Sequence, residues 1–126
     1  MPKFIRFVVA GKRHTKWRRW ASESLDGVFT IAEQERKKKR LSKENKKIVT
    51  DTFKWFNGNI PTPPYKANKW DIYASCWWRT TAKLPIKKLR PLIQTLRKHG
   101  MVVRTLHANN FSKVLYRDKY QVVAIY

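Results

Sequence analysis

Three stretches of the chain bring cations together at spacings that suit a polyanion. The first is Lys12, Arg13, His14, Lys16, Trp17, Arg18, Arg19 and Trp20. Cations interleaved with tryptophan can hold a phosphate backbone while a ring stacks on an unpaired base. The plain alternative is that Trp17 or Trp20 anchors in the core with arginines over its face. The second is Arg36, Lys37, Lys38, Lys39, Arg40, Lys43, Lys46 and Lys47, eight cations against the single acid Glu44. Concentrated positive charge is what phosphates select, although a solvated helix connection would also look like this. The third is Lys83, Lys87, Lys88, Arg90, Arg97 and Lys98, within a run from Ile72 to Arg117 that has no acidic residue. Faces that only keep a protein dispersed mix both signs, so a face of one sign points to a binding surface.

Two adjacent tryptophans, Trp77 and Trp78, sit in a segment of strand character. Neighbours on a strand point to opposite faces, so one belongs to the core. The other faces a helix, a partner or water, and the sequence leaves open which. With Trp20 they are the candidate hot spots for a protein partner.

The residue types argue against an enzyme. The eight acids are scattered, and most sit where a helix cap, a first turn or a tight turn wants them. His14, His99 and His107 have no metal-ligand spacing, so neither a metal nor another cofactor is expected. Cys76 lies in an apolar strand, as a small hydrophobe does. Four glycines leave no phosphate-binding loop. A metal-independent nuclease built on His14 or His107 with a lysine is the third-ranked reading.

These residues must be carried by a folded chain. It has 126 residues, 29 cations and 8 acids, a formal charge of +21. It also has 42 % hydrophobic and 13 % aromatic residues, too many for a disordered basic tail. One domain, 1–126, is expected. A single cysteine suits a reducing compartment. There is no run of roughly 20 apolar residues and no signal-peptide pattern at the start. A cytoplasmic protein with no membrane partner is therefore expected.

Strands are expected at Lys3–Ala10, within Trp70–Thr80, at Met101–Leu106, at Lys113–Tyr116 and at Tyr120–Tyr126. A helical hairpin is expected over about 28–57, entered through Asp26 and, for its second helix, Ser42, and ended by Asn57-Gly58. The prolines of 60–69 make a connector. Ile86, Leu89, Leu92, Ile93 and Leu96 have helical spacing, with Pro91 expected to kink that helix or mark its beginning, and Gly100 to end it. The sheet and this further helix occupy 70–126.

The segments WFNGNIPTPP (Trp55–Pro64), CWW (Cys76–Trp78) and YRDKYQVVAIY (Tyr116–Tyr126) resemble a family of small bacterial and phage-like proteins. The resemblance implies a helix ending in Trp-Phe-Asn, a proline-rich link, an aromatic strand, a second helix and a closing pair of strands. It brings no activity with it. Positions that are mixed or acidic in that family are Lys and Arg here, which marks this chain as a basic version.

The fold expected is α+β, a four- to five-stranded antiparallel or mixed sheet on two or three helices, with a ferredoxin-like arrangement as the first topology. The function expected is non-enzymatic binding of nucleic acid or of a ribonucleoprotein, with DNA and RNA both open. The alternative is a small phage-type inhibitor or regulator, such as an anti-CRISPR or polymerase-binding protein, docking on a nucleic-acid-handling complex.

Overall fold

Apolar residues on both faces of the first strand determine how the layers form. The computed structural model describes residues 2–10, 25–38, 41–64 and 74–125. Strand β1 (Phe4–Ala10) is followed by the short β2 (Leu25–Gly27) and helices α1 (Val28–Lys37) and α2 (Lys43–Asn59). Then come β3 (Ala74–Arg79), helix α3 (Lys83–Lys98), β4 (Val102–Ala108), β5 (Lys113–Arg117) and β6 (Gln121–Ile125). All strand pairings are antiparallel, and the open sheet packs against the helices in an α+β fold.

One edge of β1 carries β4 along its whole length. Its other edge is shared, with Phe4 and Ile5 pairing β3 and Val8–Ala10 pairing β2. Beyond β3 lie β6 and β5. Strands β3 and β4 are parallel to each other, flank β1 and are joined by α3, a split β-α-β unit that ferredoxin-like folds also contain. The rest of the connectivity departs from that arrangement. The helical hairpin lies between β2 and β3 in the chain, two strands that share one edge of β1, and the C-terminal β6 takes the place beyond β3.

Val9, Trp78 and Val103 meet Ile31, Val49, Phe56, Leu89, Leu92 and Leu96 from the three helices. Rings continue the contact from sheet to hairpin. Trp78 and Phe56 have centroids 5.5 Å apart, and Phe56 and Phe29 5.0 Å edge to face. On the opposite face Phe111, from the β4–β5 connection, lies 5.0 Å from Phe4 and 5.3 Å from Trp77. Both tryptophans are therefore core residues, Trp77 4 % and Trp78 7 % exposed. The sequence left open whether the second tryptophan faces a helix, a partner or water; each sheet face has its own apolar cover, so neither is an exposed hot spot. The Trp77 indole N–H donates to Ser75 Oγ at 3.0 Å.

Several boundaries follow local chemistry. Ser42 caps α2, its Oγ accepting from the Asn45 N–H at 3.2 Å. Helix α1 is capped by Gly27 rather than Asp26, which belongs to β2. Asn57 and Gly58 lie inside α2, which ends at Asn59. Helix α3 begins at Lys83 and runs through Pro91. Pro91 is on the exposed side, so its missing N–H leaves the Lys87 carbonyl towards water instead of in the core. Gly100, at φ 79°, ends α3 with Met101 N–H bonded to the Leu96 carbonyl and Gly100 N–H to that of Arg97.

Asp118 organises the β5–β6 turn. Its Oδ1 accepts from the N–H groups of Tyr120 (2.8 Å) and Gln121 (2.9 Å). Its Oδ2 accepts from Tyr116 O–H (2.7 Å) and Gln121 Nε2 (3.2 Å). Gln121 also donates to the Pro61 carbonyl and accepts from Cys76 Sγ, so the turn ties the proline-rich link to β3. Burial alone would raise the Asp118 carboxyl, but these hydrogen bonds outweigh it and hold the group below its ordinary value. The bond to Asp118, then burial, pushes the Tyr116 phenol up to about 12.

The sign follows from linkage. The Asp118 contribution is complete above the unfolded value near 3.8 and is lost as pH falls through the lower folded value. Asp118→Ala strips partners from four donors and is expected to cost about 1–3 kcal/mol at pH 7. Urea denaturation of both proteins will show the deficit at pH 7 and will show it shrink below pH 3.8.

Candidate nucleic-acid interface

Helix α3 has a core stripe and an opposite cationic stripe. Leu89, Leu92, Ile93, Thr95 and Leu96 are buried. At 100° per residue Lys83, Lys87, Gln94 and Lys98 fall on one line facing away from them, with Arg90 and Arg97 beside it. All six predicted cations of this helix are exposed. From Lys83 to Lys98 the row runs about 22 Å.

These cations are not equivalent. The Lys88 ammonium sits 5.5 Å over the Trp55 ring of α2. Arg97 donates from Nη2 to the Val103 carbonyl at 3.2 Å, occupying an acceptor of β4, an edge strand among the described residues. The side chains of Lys83, Lys87, Arg90 and Lys98 make no hydrogen bond or ion pair among the described residues, so their charge is available to a partner.

The cluster around the α1–α2 connection divides in the same way. Arg36 Nη2 donates to both carboxylate oxygens of Glu33 (2.9 and 2.8 Å), and its guanidinium lies 5.3 Å over the Phe53 ring. The ion pair and the ring contact commit its charge within the hairpin. Lys37, Lys38, Lys43, Lys46 and Lys47 are exposed. Lys43 and Lys47 share an outward line with Lys54, a cation that the reading by runs missed and that helical spacing from Lys43 would have found. Lys39, Arg40, and the whole loop of Lys12, Arg13, Lys16, Trp17, Arg18, Arg19 and Trp20 lie outside the described residues.

The structure brings the second and third cation groups together. Helices α2 and α3 run antiparallel, and Asn45 Nδ2 is 3.1 Å from His99 Nε2. This places Lys43, Lys46 and Lys47 beside the Arg97–Lys98 end of α3. Among the described acids, Glu33 is bound to Arg36, Glu35 is buried, and Asp118 holds its turn. Glu44 and Asp51 on α2 remain outside. The helical layer presents net positive charge because its cations outnumber the four acids on its helices, two of which, Glu33 and Glu35, are engaged internally.

No described helix is long and apolar enough to cross a membrane. No family model, curated protein or solved structure matches the chain, so the resemblance stated above rests on its own segments.

The division of roles is testable. Arg36→Gln is expected to lower stability by about 1 kcal/mol, through the lost pair and ring contact, and to leave affinity for a duplex oligonucleotide within about twofold. Lys37→Gln with Lys38→Gln is expected to leave stability within about 0.5 kcal/mol and to weaken that affinity. Thermal denaturation and a binding titration on each variant check both halves.

Proposed function

We propose that this protein is a non-enzymatic binder of nucleic acid, or of a nucleoprotein through its nucleic-acid component. The observation that carries the reading is the acid-free α3 face, where Lys83, Lys87, Arg90 and Lys98 project beside the lysines of α2. A rigid helix holds these charges in a fixed row, so binding a phosphate backbone orders few further groups. The contacts are to phosphates, which position a protein without reading sequence. Low sequence preference follows.

The regulator alternative relied on Trp20, Trp77 and Trp78 as anchors. Two of them are buried in the core, and Trp20 lies outside the described residues. The direct reading is therefore the better supported.

Each phosphate neutralised releases counterions, giving a slope of about −0.9 per contact in log affinity against log salt for B-form DNA, and about −0.7 for single strands. The native protein is expected to show a slope of about −4 or steeper. Replacing Lys87, Arg90 and Lys98 together with Gln is expected to reduce its magnitude by about 2–3. Fluorescence anisotropy with a labelled oligonucleotide between about 50 and 200 mM salt measures both. Binding that is flat with salt contradicts the proposal.

A further inference from the structure

Helices α2 and α3 stay side by side over most of their length. Asn45 Nδ2 meets His99 Nε2 at one end, 3.1 Å away, and the Lys88 ammonium sits 5.5 Å over the Trp55 ring further along. From Asn45 to Trp55 α2 advances about 15 Å, and from Lys88 to His99 α3 advances about 17 Å. The two axes therefore run nearly antiparallel across that span.

Each helix carries its own outward row of cations. Lys43, Lys47 and Lys54 form one, about 16 Å long, and Lys83, Lys87, Arg90 and Lys98 form the other. None of these side chains makes a hydrogen bond or ion pair among the described residues. Packed helix axes lie about 8–10 Å apart, so two outward rows are separated by about that distance.

What lies between the rows is different in kind. At about 100° per residue, Glu44 and Asp51 turn from the outward line of α2 towards α3, and Leu84 and Pro91 turn from the outward line of α3 towards α2. All four are exposed, Leu84 by 56 %. The acids repel a phosphate chain from the valley between the helices, and the apolar side chains offer it no partner. A single strand lying in the valley is therefore opposed, and phosphates are admitted along the two outer lines.

Two such lines match the two edges of a duplex groove. Helices about 10–12 Å in diameter make a pair about 20 Å across, too broad to enter the roughly 12 Å major groove of B-form DNA. The minor groove, about 6 Å wide, is narrow enough to be bridged from outside with one row on each backbone. We propose that α2 and α3 straddle the minor groove of a B-form DNA duplex, each helix holding one strand, with Leu84 against the groove between them. Leucine is among the apolar side chains that a minor groove receives. The proposal rests on the nucleic-acid reading above and deepens it by naming the substrate. The minor groove of an RNA duplex is wide and a single strand has one backbone, so neither engages both rows.

The test is fluorescence anisotropy with the full chain and labelled probes of one sequence. They are a DNA duplex, the RNA duplex, the single DNA strand, and a DNA duplex with uncharged methylphosphonate linkages throughout one strand. The DNA duplex is expected to bind about tenfold or more tighter than the RNA duplex or the single strand. On it, Lys43→Gln, Lys47→Gln and Lys54→Gln together should flatten the salt slope by about 2–3, as should Lys87→Gln, Arg90→Gln and Lys98→Gln together. On the half-neutral duplex the native slope is already flatter by about 2–3, and either set alone changes it little, because the remaining row takes the charged strand. Leu84→Ala is expected to weaken duplex binding about fivefold with the slope unchanged. All the replaced side chains are exposed, so each variant keeps the core. The proposal is overturned by equal or tighter binding of the single strand or the RNA duplex, by the native slope on the half-neutral duplex, or by unchanged affinity in Leu84→Ala. Those results leave nucleic-acid binding by the α3 face standing, whereas binding that is flat with salt on every probe overturns both.

Discussion

Twenty-nine cations and eight acids must share one small fold without like charges driving it open. Most of the architecture is a response to that constraint. The core is built from apolar and aromatic side chains on both faces of one sheet, so no buried position has to hold a lysine. Cations near the core are settled individually: Arg36 on Glu33 and Phe53, Lys88 over Trp55, Arg97 on a β4 carbonyl, and Arg79 Nε on the Asp118 carbonyl at 2.9 Å. The charge left over is directed outward by helical periodicity, and on α3 no acid dilutes it. Such a surface is expensive for an isolated protein and useful to one whose partner is a polyanion.

Rigid parts position the cationic face. The Trp78–Phe56–Phe29 ring contacts fix the hairpin over the sheet, and the buried row from Leu89 to Leu96 fixes α3. The split of β1 between β2 and β3 creates the gap in which Arg6 is held. The Asp118–Gln121–Pro61 contacts hold the proline-rich link against the β5–β6 turn. Changes in the core would therefore reach binding through geometry rather than through direct contact.

Much of the fold was legible in local patterns. Helical spacing of Leu89, Leu92, Ile93 and Leu96 located α3, the Ser42 cap located α2, and Gly100 located the end of α3. The misreadings came from long-range packing. Nothing local says that Phe111 folds back over Trp77, so the surroundings of the second tryptophan stayed open. Pro91 is tolerated because its face turns to water, which depends on where the helix docks. Arg36 looked like one cation among eight, and only its contacts with Glu33 and Phe53 separate it from Lys37 and Lys38.

The central claim is that the outward lysines of α3, together with those of α2, meet a nucleic-acid backbone. Lysine-reactivity footprinting tests it most directly. The native protein is labelled with an amine-reactive reagent, alone and with saturating oligonucleotide, and modification is read at each site by mass spectrometry. The account predicts that Lys83, Lys87 and Lys98 on α3, and Lys43 and Lys47 on α2, become protected. Lys113 and Lys119, exposed on and just beyond β5, should react as before. Protection of Lys113 and Lys119 with the α3 lysines unchanged would contradict it.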